Sequence, residues 1–141
     1  MKISITDAYL RKFTSGMEKW WLAQGHEVRM DRYWNPENAL WADVIWIDVA
    51  DNNLTSATNP GSAIMDDAAN FQPWDLHDEA FRGKQVIVRA IDIEIWNGLQ
   101  NTGLWDVVDD LIFIAPHIRE LANEHELPQR REDLRVHTIP C

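Results

Sequence analysis

"ITDAYLRKFTSGMEKWWLAQGHEV", Ile5 to Val28, is the stretch whose reading decides the fold. It follows an apolar start, Lys2 to Thr6, that reads as a first strand. Phe13, Met17, Trp20 and Trp21 then recur at three- and four-residue spacing, which places them on one face of a helix. Thr14 or Ser15 is placed to cap that helix and Gly25 to end it. Glu27 to Tyr33 is expected as the next strand, so the unit is strand, helix, strand. Ser15-Gly16 stands at the helix mouth. Backbone N–H groups there attract a phosphate or a sugar hydroxyl, and glycine admits close approach; a plain helix cap is the other reading of the same pair.

Working outward, the alternation continues. Asn35-Pro36 has the chemistry of a helix N-cap followed by its first turn, and a short helix through Ala39 to Ala42 is expected. "DVIWIDVA", Asp43 to Ala50, is apolar apart from its aspartates, as suits a central strand covered on both faces. From Asp51 to Trp74 no period survives, although Ala63 to Phe71 has room for a short helix. Asp75 to Arg82 reads as helix closed by Gly83, and Lys84 to Trp96 supplies a fourth strand with its core at Val86 to Ile91. Asp110 to Ala115 gives a fifth strand, Pro116 to Glu126 a helix, and Arg135 to Ile139 a sixth strand. Strands alternating with helices imply right-handed crossovers. The expected fold class is therefore α/β, a Rossmann-like three-layer sandwich with a mostly parallel, roughly six-stranded sheet. Ligands of such sheets bind beyond the carboxyl ends of the strands, which directs attention to Asp7, Ser15, Gly16, Asp48 to Asn53, Asp92, Glu94, Pro116, His117, Pro140 and Cys141.

Composition bounds the function. The chain has 141 residues, 45% hydrophobic and 26% charged, which fits one globular domain. A formal net charge of -10 without a basic stripe argues against nucleic acid and against attachment to a membrane surface. No apolar run has the length of a membrane span. The lone Cys141 cannot form an internal disulfide and no secretory signal opens the chain, so a cytoplasmic location is expected. Among the eight tryptophans, Trp20, Trp21, Trp41, Trp46 and Trp105 are expected in core or interface; Trp34, Trp74 and Trp96 fall in expected loops and are candidates for stacking on a ligand.

Several chemistries lack their motifs. Gly16 stands without the further glycines of a dinucleotide fingerprint, and neither a Walker sequence nor a Gly-x-Ser-x-Gly turn is present. The histidines show no ligand spacing with cysteine or carboxylates, so no metal is inferred. Asp92 and Glu94, two apart after the fourth strand, point their carboxylates to one side of an extended segment, for proton handling or sugar hydroxyls, or simply to solvent. His117 begins the helix after the fifth strand, as a polar ligand or a surface residue. Asp48, near the end of the third strand, sits like the phosphoacceptor of a receiver domain, but Asp7 lacks an acidic neighbour and Ala115-Pro116 stands where that chemistry needs a lysine.

"SGMEKWWLAQGHEV", Ser15 to Val28, resembles the Gly-Gly-x-Glu helix and Gly-His-Glu-Val strand in the N-terminal half of GT-B glycosyltransferases, particularly glycosyltransferase family 4. "QVIVRAIDIE", Gln85 to Glu94, resembles the strand that this family leads into a histidine-containing turn ending in glutamate. "WDVVDDLIFIAPHIRELANE", Trp105 to Glu124, and "RVHTIPC", Arg135 to Cys141, are similar to its fifth strand with helix and its sixth strand. The segments appear in family order. The chain departs from the pattern at Ser15, in place of the first glycine of the pair, and at Ile91, in place of a frequent histidine.

The resemblance implies the acceptor-side half of a glycosyltransferase, one that transfers a glycosyl group from a nucleotide-sugar to a carbohydrate or other hydroxyl acceptor. It implies no resident cofactor: the nucleotide-sugar is a co-substrate, bound mainly by a C-terminal donor domain that these residues do not include. That half would come in cis or as a separate chain, and residues 1–141 alone are expected to be inactive. Asp92 and Glu94 are the expected catalytic positions; Ser15, Gly16, His117 and Trp96 are expected to bind substrate. The alternative is a non-catalytic binding or signalling domain of flavodoxin or receiver type.

Overall fold

The structure is a computed structural model and describes residues 1–7, 14–32, 34–48, 79–90, 107–124 and 132–139. Six parallel strands form one sheet: β1 (Lys2–Asp7), β2 (Glu27–Asp31), β3 (Val44–Asp48), β4 (Gln85–Ala90), β5 (Asp110–Phe113) and β6 (Arg135–Thr138), in the order β2-β1-β3-β4-β5-β6. Among the described residues, helices α1 (Ser15–Ala23), α2 (Pro36–Trp41) and α3 (Pro116–Glu124) and a 3-10 turn at Glu79–Phe81 lie between strands. This is the α/β Rossmann-like sandwich expected from the alternation.

The sheet divides two cores. Strand residues point alternately to opposite faces, and Ile3, Ile5, Val44 and Trp46 meet Met17 and Trp21 of α1 on one side. On the other, Ile45, Ile47, Val86, Val88, Leu111 and Phe113 meet Ala39 of α2, Ala80 and Phe81 of the 3-10 turn, and Ile118 and Ala122 of α3. β3 lies inside the sheet and is buried at every position, which explains its unbroken apolar run.

Local chemistry accounts for the helix ends. The Asn35 side chain accepts hydrogen bonds from the Glu37 and Asn38 amides at 3.1 and 3.2 Å, and Pro36 opens α2 without forfeiting a donor. The far end of α2 is held by the Lys84 ammonium, which donates to the Leu40 carbonyl at 2.9 Å and to that of Ala42. Gly25 and Gly83 adopt φ of 82° and 71°, the left-handed region that lets the chain leave α1 and the 3-10 turn.

Two expectations change, at Trp34 and Thr14, and one is narrowed, at Trp20. Trp20, expected in core or interface, is 60% exposed and so lies outside the core; among the described residues of α1, Met17 and Trp21 are those that pack on the sheet. Trp34, a candidate for ligand stacking, is 4% exposed and stacks on Phe81 with ring centroids 4.8 Å apart. Thr14 occupies the N-cap position of α1 but makes no side-chain capping bond; its hydroxyl goes elsewhere, as described below. Of the expected elements, the helix at Ala63 to Phe71 lies outside the described residues, and of Asp75 to Arg82 only the part from Glu79 is described, as a 3-10 turn.

Candidate functional site

The path of the chain locates the site before any side chain does. β1 leads through α1 to β2 on one side, and the next crossover carries the chain to β3 on the other side of β1. The carboxyl ends of β1 and β3 therefore flank the point where strand order reverses, the usual place for a ligand in an open parallel sheet.

At that point the strand tips are in register: Asp7 opposite Asp48, and Asp48 opposite Arg89. Asp7 and Asp48 are both fully buried. The Thr14 hydroxyl donates to Asp7 Oδ2 at 2.6 Å, so the residue that starts α1 is tied to the end of β1. Arg89 donates from Nε to Asp48 Oδ1 at 2.5 Å and from Nη2 to Oδ2 at 2.6 Å, the two-point geometry in which guanidinium and carboxylate planes match. Burial pushes the Asp48 carboxyl above its ordinary value, against the pull of Arg89 and with a further push from the Asp7 charge.

All six strands being parallel, their carboxyl ends share one rim of the sheet. Ser15 and Gly16 begin α1 there, Ser15 half-buried and Gly16 exposed. A Cβ added at Gly16 meets nothing within 4 Å, so packing does not demand glycine at this position. His117 is exposed at the second position of α3. β1 and β5 are three strand spacings apart, roughly 14 Å. Asp92, Glu94 and Trp96 lie outside the described residues.

Sequence reasoning passed over Arg89 and treated Thr14 only as a cap. The signal for Arg89 was its place in "QVIVRA": a charge in an interior strand requires a buried counter-charge, and Asp48 in "DVIWID" was the matching demand.

A second polar cluster lies on β5 and β6. Asp110 accepts from Arg135 Nε at 2.7 Å and Nη2 at 2.5 Å and from Gln85 Nε2 at 3.0 Å, with His137 Nε2 at 2.8 Å. These bonds, the Arg135 one first, hold the Asp110 carboxyl well below the usual range. The cluster starts at the amino end of β5, away from the carboxyl rim, and serves to fasten β6. Among the described residues no group of three or more His, Cys, Asp or Glu is placed to hold a metal ion, and no helix is long and apolar enough to cross a membrane.

Comparison with protein-family models, with curated proteins and with solved structures gave no match to this chain.

Proposed function

We propose that the chain is the acceptor-side half of a glycosyltransferase of GT-B type, akin to family 4, acting in the cytoplasm. It would move a glycosyl group from a nucleotide-sugar to a hydroxyl acceptor once a donor-binding half joins it, in cis or as a separate chain. The observation that carries this reading is that Ser15-Gly16, beside the switch point, and His117, at the end of β5, share the carboxyl rim of a parallel sheet. Asp92 and Glu94 are assigned proton handling, Ser15, Gly16, His117 and Trp96 substrate contacts. No resident cofactor is required: the chain's part is to orient a hydroxyl, and charge on the departing phosphate falls to the other half.

A second reading, a non-catalytic module of flavodoxin topology, has one observation in its favour: the first five strands stand in the flavodoxin-like order β2-β1-β3-β4-β5. As a phosphoacceptor, however, Asp48 is poorly suited, being fully buried and gripped by Arg89.

Titrating isotope-labelled protein with a saccharide panel tests the proposal. Shifts of the Gly16, Glu94 and His117 amides support it, and a flat response across glucose, galactose, mannose, maltose and lactose refutes it.

A further inference from the structure

The connection from β1 to β2 steps across the sheet one way, and those from β2 onward step the other way. Right-handed connections then put α1 on one face and α2, the 3-10 turn and α3 on the opposite face, as the two cores show. The cover is lopsided. On the face that α1 occupies, no described helix lies over β4, β5 or β6. Ile87 and Ile112 stay half-buried there, and the Arg135 and His137 side chains are 57% and 52% exposed. Parallel sheets are ordinarily covered on both faces. The helix is short of a neighbour too: none of its residues is fully buried, not even Met17 and Trp21, which pack on the sheet. Helical phase turns Lys19 and Leu22 away from the sheet and Trp20 sideways, toward β3 and β4; Leu22 and Trp20 are both largely exposed.

We propose that two copies of this chain associate through this face, α1 of each lying on β4, β5 and β6 of the other about a two-fold axis parallel to the strands. The surface is self-complementary, as a two-fold contact requires. The strip from β4 to β6 is two strand spacings wide, roughly 10 Å, and a helix is about as broad. An axis running across the strands would bring both α1 helices onto one place. An axis along them sets each helix over the other copy's uncovered strands, with Trp20 of both copies turned toward the axis. Charge fits as well. On α1 and this face of the sheet, Asp48 is paired with Arg89 and Asp110 with Arg135, which leaves Lys19 against Glu18 and Asp7: one net negative charge in a chain of −10. Two copies therefore meet where they repel each other least. Both carboxyl rims then open at the same end of the pair, and the inference stands apart from the acceptor reading.

Sedimentation equilibrium of residues 1–141 is expected to give twice the 16.4 kDa chain mass at about 100 μM and to fall toward the single mass on dilution to about 1 μM. A single-chain mass throughout overturns the proposal. Trp20→Glu, at an exposed position, is expected to weaken association at least about tenfold. Leu40→Glu, similarly exposed but on α2 and the opposite face, is expected to leave it unchanged. The arrangement has its own readout. With Cys141→Ser in the background, Trp20→Cys is expected to be joined into a covalent pair by a short bismaleimide and Leu40→Cys to stay single. A pair that survives Trp20→Glu, or that is joined through position 40 and not through position 20, uses another surface and overturns the proposal. Should Trp20→Glu fail to fold, the mass of the unaltered protein and the cross-link decide.

Discussion

Arg89 and Asp48 lie side by side at the tips of two interior strands, joined by both carboxylate oxygens at 2.5 and 2.6 Å. Removing the cation alone strands a buried charge, so Arg89→Met is expected to lower unfolding free energy by about 3–5 kcal/mol. Pairing it with Asp48→Leu is expected to restore most of that loss. Urea denaturation of the single and double variants measures both, and a double variant no better than the single would show that the tips tolerate no apolar replacement.

Asp110 gives a pH dependence of definite sign. Its carboxyl is held below the ordinary 3.8 by Arg135, so its contribution is complete above that value and is lost as pH falls toward the lower folded-state value. Asp48 works in the opposite sense. Its folded-state value is raised, so its ionisation opposes folding increasingly as pH rises through 3.8. Asp110→Asn is therefore expected to be less stable than the native chain at pH 7 and to converge with it in acid. Denaturant midpoints at pH 7, 4 and 3 read this directly; a gap that stays constant with pH would remove Asp110 from the account.

Trp34 and Phe81 stack in the core with rings 4° from parallel. Trp34→Ala or Phe81→Ala is expected to cost about 3–5 kcal/mol through the cavity each leaves. The affinity of any sugar that binds the folded protein should not change with Phe81→Ala. Thermal melts and sugar titration of the same samples separate the two effects.

The glycines divide by backbone angle. Gly25 and Gly83 have positive φ, and alanine at either is expected to cost about 1–2 kcal/mol. Gly16 has open space around it and sits in a helical first turn, so Gly16→Ala is expected to be neutral or to stabilise by up to about 1 kcal/mol. Stability curves of the three variants make the comparison. Weakened sugar binding in a fully stable Gly16→Ala protein would assign that glycine to the ligand.

The fold was legible where local chemistry and period agreed. Asn35-Pro36 marked α2 because cap and first turn are adjacent in sequence, and "VIWID" marked the interior strand because both of its faces are covered. What could not be read depended on partners distant in sequence. Trp20 and Trp21 share one apolar pattern, yet only Trp21 reaches Trp46, with ring centroids 5.5 Å apart, since the rotation of α1 on the sheet is set by packing. Thr14 has the chemistry of a cap, but Asp7 captures its hydroxyl. Arg89 and Asp48 are forty-one positions apart, and only the register of β3 on β4 makes them one unit. For the candidate site, the rim and the start of α1 followed from the alternation, whereas the row of ionised tips required the strand order.

The two outer strands are short and studded with ionisable side chains, Glu27, Arg29 and Asp31 on β2 and Arg135 and His137 on β6. A border strand is where a neighbouring molecule's strand is able to join a sheet, and charge is what makes such joining unfavourable. Replacing those residues with valine or isoleucine would invite the protein to polymerise border to border into fibrils, and at Arg135 would also take away the partner of buried Asp110. Solubility is thus guarded at the margins of the sheet, in part by the same residues, Arg135 and His137, that fasten β6 through Asp110.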